Sequence, residues 1–155
     1  MSLHCVRWIS IPSSEDSRGV LSVLEGAVLS FPIKRIFYMH RVPSNTKRGG
    51  HAHPHTDHVV IPVVGEFRIE VSDGSCSETF VLNDSCRGLY LPRMTWTRLF
   101  GFSADCVALA LCSTEYVPSD VIRDWNLFAH RISSAGPASA PMMTTDNDVE
   151  TRARR

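Results

Sequence analysis

A chain of 155 residues, 43% hydrophobic and 21% charged, has the composition of one soluble globular domain with a core of its own. Its 16 basic residues balance 16 acidic ones, so no overall field draws it to nucleic acid or a membrane surface. No apolar run approaches the roughly 20 residues that span a bilayer. The first residues, MSLHCVRWIS, lack the charged-then-apolar pattern of a signal peptide. Five cysteines, at positions 5, 76, 86, 106 and 112, are odd in number and form no CxxC pair. Reduced, mostly buried thiols in a cytoplasmic protein are the expectation.

Strand signals dominate residues 4–113. In chain order they are KRIFYMHRV (34–42), DHVVIPVV (57–64), FRIEV (67–71), ETFVL (78–82), GLYLP (88–92), TWTRLF (95–100) and DCVALALCS (105–113). Turn-forming stretches separate these β-branched and aromatic runs, and Asp73-Gly74 is a hairpin signal. Short strands at this spacing predict an all-β sandwich or barrel. One helix follows in PSDVIRDWNLFAHRI, where Val121, Trp125, Phe128 and Ile132 recur on one face and Ser119 is placed to cap it. Residues 1–132 are therefore read as one domain. Residues 133–155 are small, polar and without apolar period, so a disordered tail is expected there.

The densest chemistry lies in RGGHAHPHTDH (48–58), with four histidines in eight positions. Alternate residues of a strand share a face, so His51 and His53 point the same way and Ala52 points opposite. Pro54 should end that strand, and His58 opens the next one close enough to join the pair. His55, in the connection, is expected to face solvent. Imidazoles so concentrated suit either a metal site or metal-free acid–base chemistry near neutral pH.

His51-Ala52-His53, four residues, His58, six residues and Gly65 resemble the first motif of the cupins, with His58 at its glutamate position. CRGLYLPRMTWTRLFG resembles the second motif: Pro92 is kept, Met94 stands at the glycine position and Thr97 at that of the last metal histidine. A hydroxyl is a poor ligand beside imidazoles. Read from 6 to 132, the chain resembles one branch of that superfamily, the WxcM-like nucleotide-sugar 3,4-ketoisomerases. EDSRGVLSVLEG (15–26), FPIKRIFYMHRVP (31–43), RGGHAH (48–53), GEFRIEVSDG (65–74), GLYLPRMTW (88–96), FSADCVALALCSTEY (102–116) and DVIRDWNLF (120–128) carry the likeness.

The resemblance implies a cupin jelly roll with one C-terminal helix, forming a homodimer. The setting it implies is the cytoplasm of a bacterium that builds deoxysugars for surface polysaccharides or antibiotics. It also implies an isomerase acting on a dTDP-4-keto-6-deoxyhexose, with no metal and no redox cofactor. Moving a carbonyl from C4 to C3 requires a base for the C3 proton and a donor for the developing oxyanion. His51 and His53 match the active-site pair, and Tyr38 is assigned the phenol that contacts the sugar, unless the working position is that of Phe37. Arg18, Arg35, Arg41 and Arg48 are candidates for the diphosphate, because a guanidinium fork donates parallel hydrogen bonds. His58 joins them as a substrate-binding candidate. Trp96 has two readings, a platform for the thymine ring or a core side chain. Two other functions compete: a metal-dependent cupin enzyme using His51, His53 and His58, and a non-catalytic nucleotide-sugar-binding module.

Overall fold

The computed structural model describes residues 3–134. Eleven strands run in chain order: β1 Arg7–Ser10, β2 Ser13–Asp16, β3 Gly19–Ser22, β4 Arg35–His40, β5 Arg48–Ala52, β6 His58–Val64, β7 Phe67–Ser72, β8 Ser77–Leu82, β9 Arg87–Leu91, β10 Trp96–Phe100 and β11 Val107–Cys112. A single α-helix, α1, spans Trp125–Ser134. The strands form a five-stranded sheet (β1-β9-β6-β11-β4), a four-stranded sheet (β5-β10-β7-β8) and a separate β2-β3 hairpin, with every pairing antiparallel. This is the all-β jelly roll with one C-terminal helix that the sequence predicts.

Three apolar layers hold it together. Between the sheets, Phe67, Ile69 and Val71 alternate inward from β7 and meet Val60, Leu89, Leu99 and Phe102. Outside the five-stranded sheet, Val59, Ile61 and Leu111 are covered by Leu24, Val28, Leu29 and Phe31. With both faces covered, β6 reads as a continuous apolar run rather than an alternating one. Outside the four-stranded sheet, Ala52 and Trp96 pack against Ile122 and Phe128 of the C-terminal segment.

Residues 73–76 close the β7–β8 hairpin as expected, with Gly74 at φ 92 and the Asp73 carboxylate accepting from the backbone N–H groups of Ser75 and Cys76. The helix differs from its prediction. Residues Pro118–Asp120 form a 3-10 turn, and Ile122 is extended, exchanging backbone hydrogen bonds of 2.9 and 3.0 Å with Ala52. That bridge satisfies the edge of β5 and delays the helix to Trp125. The cap is Asp124, whose carboxylate accepts from the Leu127 N–H, and not Ser119. Phe128 is fully buried and Ile132 packs beside it, whereas Val121 lies outside the helix.

The cysteines are all free, but only Cys106 and Cys112 are buried; Cys5 and Cys76 are exposed. The boundary expected at 132 falls inside the last helical turn, and residues 135–155 of the expected tail lie outside the described residues. No helix among the described residues is long and apolar enough to cross a membrane.

Candidate active site

The two sheets part between the edge strands β4 and β5, and the histidines gather there. The Arg-Gly-Gly before them has a backbone reason. Gly49 and Gly50 both sit at positive φ (79 and 73), and a Cβ on Gly49 would lie 2.7 Å from the Thr97 carbonyl. Glycine lets β5 lie close against β10 at the register shift between Thr97 and Arg98, with Thr97 paired to His51. Met94, at the cupin glycine position, adopts φ 58 and donates its N–H to the His53 carbonyl at 2.8 Å. Its left-handed backbone thus pins the residue that follows β5, while its side chain packs on the Trp96 cluster.

His51, His53 and His58 meet as expected. The His51 and His53 rings stand edge to face with centroids 4.8 Å apart, and His58 lies 4.8 Å from His53 on the other side. Ala52 points the opposite way into the core, and His55 is exposed. An internal cavity of about 80 Å³ is lined by the three histidines with Phe37, Met39, Thr95 and Thr97. A mouth of about 480 Å³ shares Phe37, His51 and His53 with it and adds Arg35, Arg48, Tyr116 and Arg123. Among the described residues no group of three or more His, Cys, Asp or Glu side chains is arranged to hold a metal ion.

The residues lining the mouth are cationic with no acid among them, and the acids Glu115 and Asp120 border an adjoining pocket that shares Arg35, His53 and Tyr116. The ion pairs among the described residues are Arg18–Asp16 and Arg93–Asp57, both elsewhere. Arg35 lies over the rings of Tyr116 (5.0 Å) and Phe37 (5.5 Å), and one of its terminal nitrogens donates to Cys112 Sγ at 3.4 Å. Its buried Nε has no partner, and neither has His51 Nδ1. Arg123 donates to the Tyr116 hydroxyl at 3.3 Å. A half-buried guanidinium without a carboxylate is an anion receptor in waiting.

Burial and these charges keep the imidazoles neutral. Desolvation, with help from Arg123, lowers the pKa of His51, against a smaller opposing influence of the Gly49 backbone. Desolvation, then His51, Arg35 and Arg123, bring His53 down to about 4. Desolvation, then His53, Arg35 and His51, bring His58 to about 3. Because these values are depressed from 6.5, the unfolded chain takes up protons below that pH that the folded chain refuses. The stability they contribute is full above pH 6.5 and is lost as pH falls toward 4. The melting temperature is therefore expected to drop by several degrees between pH 7 and pH 4.5 at constant ionic strength. A flat profile would show that the rings are hydrated and ordinary.

The other sequence candidates separate. Arg35 and Arg48 line the mouth. Tyr38 does not: strand parity puts Phe37 and Met39 on the pocket side of β4, and Tyr38 is 62% exposed on the opposite face, next to His40. Arg18 sits on the β2–β3 turn, paired with Asp16, and Arg41 follows β4 at φ 53; neither lines the pocket. Trp96 is a core side chain, 6% exposed against Trp125 and Phe128, and is no platform for a base. Sequence reasoning missed Tyr116 and Arg123. Arg123 was hidden inside the predicted helix; only the extended bridge at Ile122 carries it to the mouth.

A family model described as FdtA: WxcM-like, C-terminal, matches residues 4–133. The chain belongs to this WxcM-like family. Among its relatives, the TDP-4-oxo-6-deoxy-alpha-D-glucose-3,4-oxoisomerase of Aneurinibacillus thermoaerophilus is 33% identical over 119 residues, covering 76% of this chain and 86% of that protein. A solved structure of the 3,4-ketoisomerase QdtA from Thermoanaerobacterium thermosaccharolyticum, a histidine-to-asparagine mutant in complex with TDP-4-keto-6-deoxyglucose, superposes with a TM-score of 0.84 at 28% identity, covering 88% of this chain and 99% of that one. The WlaRB TDP-quinovose 3,4-ketoisomerase of Campylobacter jejuni gives 0.79 at 31% identity, covering 81% and 98%. The WxcM-like fold expected from the motifs is thus shared along nearly the whole length of these enzymes.

Proposed function

We propose that this chain is a dTDP-4-keto-6-deoxyhexose 3,4-ketoisomerase of deoxysugar biosynthesis, acting in the cytoplasm and supplying sugars for surface polysaccharides. The observation that carries this reading is the adjacency of a neutral imidazole pair to a mouth whose arginines form no ion pair, the cavity and the mouth sharing Phe37, His51 and His53. The arginines suit a diphosphate, and the imidazoles suit the proton transfers of a keto sugar. The family's named relatives act on TDP-linked keto sugars.

Arg35, Arg48 and Arg123 take the diphosphate in this reading, leaving the hexose against His51 and His53. His53 removes the C3 proton, and His51 offers its N–H to the oxygen that gains charge as the enediol forms. A base with a pKa of about 4 is weak, and the substrate itself corrects this. A bound diphosphate offsets the positive charges of Arg35 and Arg123, which hold His53 down, and so raises its basicity once the sugar is in place. His58, deeper in the cavity and more strongly depressed, acts as a neutral neighbour of His53.

The test is incubation with dTDP-4-keto-6-deoxyglucose in deuterated water, followed by NMR, with and without a chelator. A 3-keto product labelled at C4, formed equally in both arms, is expected. Unchanged substrate without label would make the protein a binding module, and activity restored only by one divalent ion would make it a metal cupin.

The same reading includes a homodimer. The β2–β3 hairpin is exposed along its whole length, with Val20 and Leu21 facing solvent, and a two-stranded ribbon has little stability alone. β4 is an open sheet edge carrying exposed Ile36 and Tyr38. A second copy covering these surfaces meets both needs. Light scattering at micromolar concentration is expected to give twice the chain mass; a 17.3 kDa species alone would refute the dimer.

A further inference from the structure

We infer that Asp57 is a positioning residue of this site: its carboxylate ties together the two sheet crossings that bring the His53 and His58 rings into contact. What those imidazoles do rests on the ketoisomerase reading, and how they are held rests on the backbone geometry alone.

The two rings come from different sheets. His53 follows β5, at an edge of the four-stranded sheet, and His58 opens β6, in the middle of the five-stranded one. Among the described residues no ladder pairs β5 with β6, so strand pairing does not set the distance between the rings. They nevertheless meet with centroids 4.8 Å apart, and His58 shields the inner side of His53. The chain crosses between the sheets in residues 54–57, where Pro54 has no N–H to anchor it. A second crossing, residues 92–95, runs from β9 of the five-stranded sheet to β10 of the four-stranded one.

Four hydrogen bonds lace these crossings to each other and to the end of β11. The Arg93 N–H donates to Asp57 Oδ1 at 2.7 Å, and the next N–H, that of Met94, donates to the His53 carbonyl at 2.8 Å. The Asp57 N–H donates to Ser113 Oγ at 2.8 Å, and the Ser113 N–H returns to the Asp57 carbonyl at 3.0 Å. Two consecutive N–H groups of one turn are thus spent on the two ends of the histidine loop, and the turn fixes the spacing between them. Without the carboxylate, the Arg93 N–H loses its partner and the turn is anchored at the His53 end alone.

The Arg93 guanidinium is a lesser part of this contact. Its Nε stands 3.5 Å from the carboxylate on a side chain 55% exposed, where an ion pair has little strength. The Asp57 side chain is only 14% exposed, so it is chiefly a sheltered acceptor serving a backbone donor. Nor does its charge act on the imidazoles. Burial, the neighbouring rings and the guanidiniums of Arg35 and Arg123 hold down His53 and His58, and Asp57 has no part in either.

The experiment compares Asp57→Ala with Asp57→Asn, which keeps an oxygen for the Arg93 N–H but not the charge. Melting temperature, dTDP affinity, turnover of dTDP-4-keto-6-deoxyglucose and the NMR titration of the imidazoles are measured on each. Asp57→Ala is expected to lose about tenfold or more in kcat, with dTDP affinity within about threefold because the arginines of the mouth are untouched; a misplacement of about 1 Å can cost about 10²-fold. Its His53 and His58 should titrate above the parent values of about 4 and about 3, because water reaches rings that burial holds down. Direct loss of a nearby anion would move them the other way. Asp57→Asn should match the parent in both readouts. Parental kcat per folded molecule in Asp57→Ala, or parental titrations, would make the residue a structural support only and overturn the proposal, whatever the melting temperature. An Asn variant as impaired as the Ala variant would place the effect in the charge and overturn it too. Should Asp57→Ala fail to fold, Asp57→Glu, whose extra methylene carries the carboxylate past the Arg93 N–H, is read by the same criteria. A parent without turnover would overturn the ketoisomerase reading, and the titrations would still decide whether Asp57 positions the rings.

Discussion

Asparagine at position 53 is expected to lower kcat by about 10²–10⁴-fold, the usual worth of a positioned general base. The side chain keeps its polarity and approximate size but can no longer accept the C3 proton. His53 is the better placed of the pair for this role. It stands between the other two rings, is held by the Met94 N–H through its carbonyl, and faces both the cavity and the cationic mouth. The substrate's C3 deuterium exchange in deuterated water should vanish with turnover. In His51→Asn the shorter side chain withdraws the oxyanion donor, so product formation should fall by about 10²-fold or more, while slow C3 exchange persists. Both variants should still bind dTDP, because the arginines are untouched. Two variants turning over within a few-fold of the parent would remove these histidines from the mechanism.

Replacing Arg35 with methionine is expected to weaken dTDP binding by roughly 10–100-fold, since hydrogen bonds to charged groups contribute about 1.5–3 kcal/mol each. The loss should shrink as salt is added, because screening weakens the parent's attraction too. Folding should be unaffected or slightly improved. Arg35 is a half-buried cation whose Nε has no partner and which has no carboxylate among the described residues, so its removal strands no other charge. The same variant has a second signature. Arg35 lowers the pKa of both His53 and His58, so an NMR titration of Arg35→Met should place both rings above their parent values of about 4 and about 3. Unchanged affinity together with unchanged imidazole titration would show that the guanidinium is turned away from the pocket.

These two results would also bear on how substrate and base are coupled. Desolvation alone depresses His53, and the arginines depress it further. In the free protein this leaves the imidazole weakly basic but unprotonated at neutral pH. Binding a diphosphate reverses the second contribution and not the first. The acid limb of kcat is therefore expected at a higher pH than that of kcat/KM, which reports the free enzyme.

Much of this protein was legible in its sequence because it depends on local pattern. Alternation in FRIEV and β-branched runs such as DHVVIPVV announce strands, Asp73-Gly74 announces a hairpin, and the HxH pair must share a face in any extended strand. The reading of His58 as a third imidazole rests on the shortness of the proline-broken connection that leads from one strand to the next. The tertiary structure decided whatever depends on which face of a strand meets the cavity and on what bridges an edge. Tyr38 and Phe37 are neighbours in sequence, and a one-residue change of parity separates the outer surface from the pocket. Trp96 had two sound readings until α1 was seen to cover it. Arg123 could not be found from periodicity, because the apolar period of VIRDWNLF is satisfied by a helix. The unpaired edge of β5 instead claims Ile122 for backbone hydrogen bonds, and that long-range pairing, 70 residues apart in sequence, is what delivers the C-terminal segment to the histidines.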